Sequence, residues 1–234
     1  MNIAFDLVAV ERLNDGIYTS SLALLRGLQR VPAEHRYLLL TARPERYADF
    51  ADDARFQIVR APIPIRQRDA ILFEHQLFEP LALRKLRPQV VHSPGLASPL
   101  LWHGPRVLTV HDVAFLHLPE QMSRASVYYW RFLALPSARR VTRIVTVSNQ
   151  SRQEIARELG IPLERIDTVY NSIDDQFRGQ IPAEAVAQAR ARYQLTTPYI
   201  LFVGTIQARK NVGALIRAFE HLAAEMPDAQ LVLA

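Results

Sequence analysis

Short apolar runs alternating with longer amphipathic stretches constrain this chain more than any other feature. "NIAFDLVAV" reads as a buried strand and "YTSSLALLRGLQ" as a helix; "YLLLTA" and "FQIVRA" are strands again. "AILFEHQLFEPLALRKL" has helical spacing, with Pro80 expected to kink or divide it. "QVVHS" and "RVLTVHD" are strands, and "SVYYWRFLAL" is a helix that Pro136 should interrupt. "RIVTVS" and "RIDTVYN" are further strands, separated by the helix "SRQEIARELG". In that helix Ser151 and Glu154 have capping-box spacing, and Gly160 is a natural stop. Strands alternating with helices predict an α/β fold: a mostly parallel sheet with helices on both faces. Continuous apolar strands agree, because parallel strands are covered on both sides.

The pattern pauses and restarts. Residues 172–198 are polar and hold one short Ala-rich helix, after which "YILFVG" opens a new strand–turn–helix unit. The expected organisation is a Rossmann-like domain over 1–175, a linker over 176–197, and the start of a second Rossmann-like domain over 198–234. Two strands and one helix cannot cover both faces of a sheet, so this second domain is expected to be incomplete.

Composition removes several function classes. The chain has no cysteine, which excludes disulfides and thiolate metal sites. Its seven histidines show no metal-binding spacing. The N-terminus lacks a basic leader before an apolar run, and no window reaches the roughly 18 apolar residues of a membrane span. A cytoplasmic protein is expected. The net charge of +5 is carried almost wholly by arginine, since Lys85 and Lys210 are the only lysines. "YYWRFLALPSARRVTR" is the nearest approach to a basic–aromatic cluster. It reads as a helix with a solvated Arg face or as one lying on an anionic membrane, and no nucleic-acid partner is expected.

Four places fall where a parallel sheet puts function, after the carboxyl ends of its strands. Asp15 and Gly16 precede the first helix; they form a turn and cap, or bring helix amides to an anion. His111 and Asp112 follow an apolar strand. His111 is a core-edge residue or a donor to a phosphate or sugar hydroxyl, and Asp112 is a ligand contact or a turn cap. Ser148, Asn149 and Ser151 read as helix caps. Arg209 and Lys210 sit near a helix start, where cations oppose the macrodipole. A bound diphosphate would resolve that conflict; a solvated surface pair is the other reading. There is no G-x-G-x-x-G after the first strand, no P-loop and no G-x-S-x-G elbow.

Taken together, "DGIYTSSLALLRGL", "VHDVAFLHLPE", "TVSNQSRQEI", "VYNSID" and "ILFVGTIQARKNVGALIRAF" resemble the retaining family-four glycosyltransferases of GT-B fold. The resemblance spans essentially the whole chain. It implies two Rossmann-like domains facing a cleft, with a nucleotide-diphosphate sugar held mainly by the second and the acceptor by the first. It implies that Gly16 approaches the donor phosphates and that His111 positions a hydroxyl of the transferred sugar. Arg209 and Lys210 would neutralise the departing diphosphate. Asp15, standing where many relatives have glycine, would turn away or meet the acceptor, and Asp112 would contact the acceptor or the sugar.

The resemblance further implies no metal and no cofactor beyond the donor substrate. The donor it suggests is GDP-mannose or a UDP-sugar, and the acceptor a lipid-linked saccharide of surface-polysaccharide assembly. Peripheral contact with the inner membrane face follows from such an acceptor. The family's later glutamate pair and nucleoside segment have no counterpart here, so this chain alone is expected to be inactive. The rival reading is a non-catalytic binding or assembly module that pairs with a second polypeptide. A sugar-nucleotide epimerase is disfavoured by "ARKN".

Overall fold

The computed structural model describes residues 1–8, 10, 16–61, 70–95, 97–116, 124–173, 177, 179–195, 198–207 and 210–234. The chain forms two compact units, Met1–Asp174 and Asp175–Ala234.

The first unit holds a seven-stranded sheet. Its strands are β1 (Asn2–Asp6), β2 (Arg36–Thr41), β3 (Phe56–Arg60), β4 (Val90–Ser93), β5 (Arg106–Thr109), β6 (Arg143–Thr146) and β7 (Ile166–Thr168). Their order is β3-β2-β1-β4-β5-β6-β7, and every pairing is parallel. Every carboxyl end therefore lies along one edge. The order reverses between β1 and β4, which makes a topological switch point there.

Strand alternation sorts the core into two faces. Phe5, Tyr37, Leu39 and Phe56 point to one face and pack on helix α1 (Gly16–Arg30) through Leu25 and on Tyr47 and Phe50 of the 3₁₀ segment Pro44–Phe50. Ala4, Leu38, Leu40 and Val91 point to the other and pack on Leu83 of helix α2 (Ala70–Leu86). Farther along that face, Leu108, Ile144 and Ile166 pack on Ala138 of helix α4 (Leu135–Arg140) and Ile155 of helix α5 (Asn149–Leu159). Complete burial of a leucine such as Leu25 or Leu83 stabilises by about 1.5–3 kcal/mol relative to exposure.

Pro80 does not divide its helix, and the interruption expected at Pro136 takes the form of a π-helical turn just before it. Pro80 lies inside α2, which runs unbroken from Ala70 to Leu86. The ring removes one backbone bond, but tertiary anchoring holds the turn in place. Gln76 donates to Ser98 O at 3.4 Å and accepts from Leu100 N at 2.9 Å. Pro136 sits in the first turn of α4, directly after a π-helical turn, Trp130–Ala134, that joins α4 to helix α3 (Arg124–Tyr129). Proline is tolerated in a first turn because its missing N–H would have no partner there.

The capping assignment of α5 also moves. Its N-cap is Ser148, whose Oγ accepts from Ser151 N at 3.0 Å, so Ser151 lies inside the helix. Gly160 does stop it, with φ 65 in the left-handed region.

The second unit contains helix α6 (Ala183–Arg192), strand β8 (Tyr199–Phe202), helix α7 (Val212–Glu225) and strand β9 (Gln230–Leu233). β8 and β9 pair in parallel with Tyr199 opposite Gln230. Ile200 and Leu201 are exposed although their strand reads as a buried one. No described helix is long and apolar enough to cross a membrane.

Candidate active site

The switch point fixes where a crevice opens: between the segments that leave β1 and β4. α1 follows β1, and the stretch Pro94–Gly95 follows β4. The two approach so closely that a Cβ added to Gly95 would lie 2.8 Å from Ile17 Cγ2. Only a residue without a side chain lets the first turn of α1 settle there. Gly16, the first residue of α1, is exposed, and no heavy atom from the described residues lies within 4 Å of the position its Cβ would take.

His111 joins the same place from β5. Its Nε2 lies 3.4 Å from the carbonyl oxygen of Pro94, next to Gly95. The turn of Gly16–Ile17, the stretch Pro94–Gly95 and His111 are thus linked in series at one rim. The neighbouring Asp112 caps a turn: its Oδ1 accepts from Ala114 N at 3.0 Å. Asp15 lies outside the described residues.

A cavity of about 410 Å³ opens beside this rim, between α1 and the strands β4 to β7. Leu24, Gly27 and Leu28 supply its α1 wall, and His92, Thr109 and Val145 supply its sheet wall; His111 stands among the lining residues. Ser20 also lines it, and its hydroxyl donates to Ile17 O at 2.9 Å, which allows a polar side chain to face apolar neighbours.

His92 is the polar residue of this wall that sequence reasoning missed. Its Nε2 is 2.9 Å from Thr109 Oγ1, and its ring packs 5.1 Å from that of Phe5. Burial pushes its pKa down to about 4, against a smaller opposing pull from Asp6. The imidazole is therefore neutral near pH 7 and exchanges a hydrogen bond with Thr109 without carrying charge. Behind the crevice, burial raises the Tyr129 phenol above its ordinary value, with Asp6 and Glu79 adding to the effect. Among the described residues no cluster of three or more His, Asp or Glu is suited to a metal ion.

The other candidate residues lie in the second unit. Gly204 leaves β8 with φ 153, a conformation rarely open to L side chains. Lys210 is exposed, and its backbone N–H donates to Gln207 O at 2.9 Å in the turn before α7. Asn211 caps α7 in the left-handed region without a side-chain capping bond. Arg209 lies outside the described residues.

The family model for Glycosyltransferase Family 4 matches residues 14–177, which contain the rim just described. The chain belongs to that family. Gly16, Gly95 and His111 fall inside the Glycosyltransferase Family 4 match; Arg209 and Lys210 lie beyond it. O-antigen chain mannosyltransferase B of Escherichia coli is 29% identical over 166 residues, covering 69% of this chain and 43% of that protein. The chain spans less than half the length of the curated relatives it matches.

Two solved structures carry the same fold. WaaG, a glycosyltransferase involved in lipopolysaccharide biosynthesis, has a TM-score of 0.63 at 14% identity, over 99% of this chain and 62% of that one. Anabaena Alr3699/HepE in complex with UDP and glucose has a TM-score of 0.63 at 15% identity, over 99% of this chain and 60% of that one. Likenesses at such identity establish the fold, which is GT-B.

His92 and Gly95 left a signal that could have been used. "VVHSPGLASP" ends a strand with Pro-Gly, a strong turn marker, at the carboxyl edge where a parallel sheet places function.

Proposed function

We propose that the chain is the acceptor-side domain and the opening of the donor-binding domain of a glycosyltransferase. The enzyme moves a sugar, mannose from GDP-mannose in this reading, from a nucleotide-diphosphate donor to a lipid-linked saccharide of surface-polysaccharide assembly. Anomeric configuration is retained. The observation that carries the reading is the convergence of Gly16, Gly95 and His111 at the switch-point crevice of a Glycosyltransferase Family 4 chain.

Each residue has a task in that reaction. The α1 turn at Gly16 admits the donor phosphates without a side chain in the way. His111, half-buried at the rim, positions a hydroxyl of the transferred sugar. As the bond from anomeric carbon to phosphate oxygen breaks, negative charge grows on the leaving diphosphate. Arg209, Lys210 and the first amides of α7 stabilise it. With those cations present the reaction requires no metal ion and no organic cofactor. The O-antigen mannosyltransferase relative supports the sugar and the acceptor class, and the UDP complex of HepE supports a nucleotide sugar as donor. Such a reaction takes place in the cytoplasm at the inner membrane face, where donor and lipid-linked acceptor meet.

The test is a transfer assay with GDP-mannose, UDP-glucose and UDP-N-acetylglucosamine and a lipid-linked acceptor extract. It is run on 1–234 alone and on the same chain joined to a complete second domain. The joined protein should transfer with retention, read from the anomeric coupling of the product, and Lys210→Ala should abolish turnover. The chain alone should show none. Lys210-dependent turnover by 1–234 would overturn the incomplete-site reading. No transfer by the joined protein with any donor would favour the non-catalytic module.

A further inference from the structure

We infer that Trp130 is a positioning residue for His111, acting through Phe115, and that the π-helical turn it opens braces both loops that meet at the rim. The inference rests on the reading of His111 as the residue that positions the transferred sugar.

The contact that links the two loops is a loose one. His111 Nε2 lies 3.4 Å from Pro94 O, and a contact of that length does not by itself fix a ring. The place of His111 over Pro94 therefore depends on how the loops after β4 and β5 are held.

The loop after β5 is stiff from His111 onward. Asp112 Oδ1 accepts from Ala114 N at 3.0 Å, and Leu116 N donates to Val113 O at 2.9 Å. Val113 is buried in the core. Phe115 then lies flat on Trp130, with ring centroids 3.8 Å apart and planes 15° from parallel. Two stacked rings in full contact resist sliding and tilting, so the loop moves with Trp130.

The loop after β4 leans on the same helical segment. Ala97 and Ser98 are fully buried, and Ala97 packs with Tyr129 and Ala134. Ser98 N donates to Ser137 Oγ at 3.2 Å, and the Ser137 hydroxyl donates to Ala134 O at 2.9 Å. One segment, α3 through α4, thus holds both loops.

The π turn makes that double duty geometrically possible. Leu135 N donates to Trp130 O, five residues back rather than four. In a straight α-helix, residues seven apart differ by only about 20° in direction, so positions 130 and 137 would face the same way. The wider turn swings them apart. Trp130 meets the loop after β5 while Ser137 meets the loop after β4. Such turns are rare within helices and gather at functional sites.

The experiment is nuclear magnetic resonance on 1–234 labelled at histidine, with His111 assigned by the signal lost in His111→Gln. The wild-type chain should show Overhauser contacts from the His111 ring to Pro94 and Gly95. Trp130→Leu should lose them, and Ser137→Ala should weaken them. Trp130→Phe, which keeps a ring to stack, should retain them. Phe132 lies in the same turn but is exposed, so Phe132→Leu should also retain them. In the chain joined to a complete second domain, Trp130→Leu should lower kcat roughly ten- to a hundredfold with KM within about twofold, the mark of a misplaced reacting geometry.

A role confined to core packing would lower the melting temperature of Trp130→Leu and leave the His111 contacts intact, which would overturn the inference. Equal loss of the contacts in Trp130→Phe would overturn it too, because the stack would then not be the link. Should Trp130→Leu fail to fold, Phe115→Leu removes the same stack from the loop side and is read in the same way. If the joined wild-type protein transfers no sugar, the proposed function falls, and the Overhauser contacts still decide this inference. If it transfers sugar and Trp130→Leu keeps its kcat, this inference alone falls.

Discussion

Gly95 and Ile17 stand so close that one added methyl would put two carbons 2.8 Å apart. Ile17 is β-branched and stiff at χ1, so it yields poorly. Gly95→Ala should cost about 1–3 kcal/mol, the usual range for overpacking a tight contact. In an Ile17→Ala background the same change should cost much less. A double-mutant cycle by urea denaturation checks this; strictly additive losses would show that the two residues do not press on one another.

His92 makes stability depend on pH in a defined window. Its folded pKa, about 4, lies below the ordinary 6.5 because burial disfavours the charged ring. As pH falls below 6.5 the unfolded chain takes up a proton that the folded chain refuses. The stabilisation is fully present above pH 6.5 and is lost progressively down to about 4. The full loss is on the order of 3 kcal/mol. Thr109 lies beside the ring, so His92→Gln, which keeps a hydrogen-bonding group there, should flatten the curve between these limits. Denaturation midpoints measured across the range test it, and an unchanged slope in the variant would assign the dependence to other groups.

His111 should matter for turnover and little for folding. It is half-buried, and its Nε2 lies 3.4 Å from Pro94 O, a long contact for a hydrogen bond. In the protein joined to a complete second domain, His111→Ala should lower kcat at least tenfold and shift the melting temperature by no more than a degree or two. A stability loss that accounts for the whole fall in activity would return His111 to a purely structural role.

Arg209 and Lys210 should act on donor binding. A hydrogen bond to a charged group contributes about 1.5–3 kcal/mol. Removing one should weaken nucleoside-diphosphate binding by roughly one to two powers of ten. Calorimetry on Arg209→Ala and Lys210→Ala in the joined protein measures this. Unchanged affinity in both variants would refute the assignment.

The parallel sheet was legible in the sequence because its strands are covered on both faces and so read as unbroken apolar runs. "YLLLTA" became β2 and "FQIVRA" became β3 almost to the residue. Helix interruptions were less legible. Pro80 is a strong local breaker, yet α2 runs through it undivided with Gln76 anchored one turn earlier, and the interruption near Pro136 is a π turn at Trp130–Ala134 rather than a break in the helix. The Gln76 anchoring depends on tertiary contacts that no local window contains. Ser151 looked like a cap because its spacing to Glu154 fits, but Ser148 fills that role equally well in sequence and is the one next to the strand end. The rim residue His111 could be read from its place after a strand. The Pro94–Gly95 turn was marked in the sequence too, but the steric reason for glycine at position 95 was not, because it comes from Ile17, on an element far away in the chain.

An all-parallel sheet has a working edge and a quiet one. In the first unit the chain enters every strand along the edge remote from the crevice. Arg106 anchors it there, donating to Pro99 O and Arg140 O. Glu34, just before β2, is exposed on that edge, and the chain has no cysteine of its own. Glu34→Cys therefore creates a single thiol at the back of the first unit. A dye or a solid support attached to it leaves the crevice unobstructed, so ligand binding can be followed on immobilised or labelled protein.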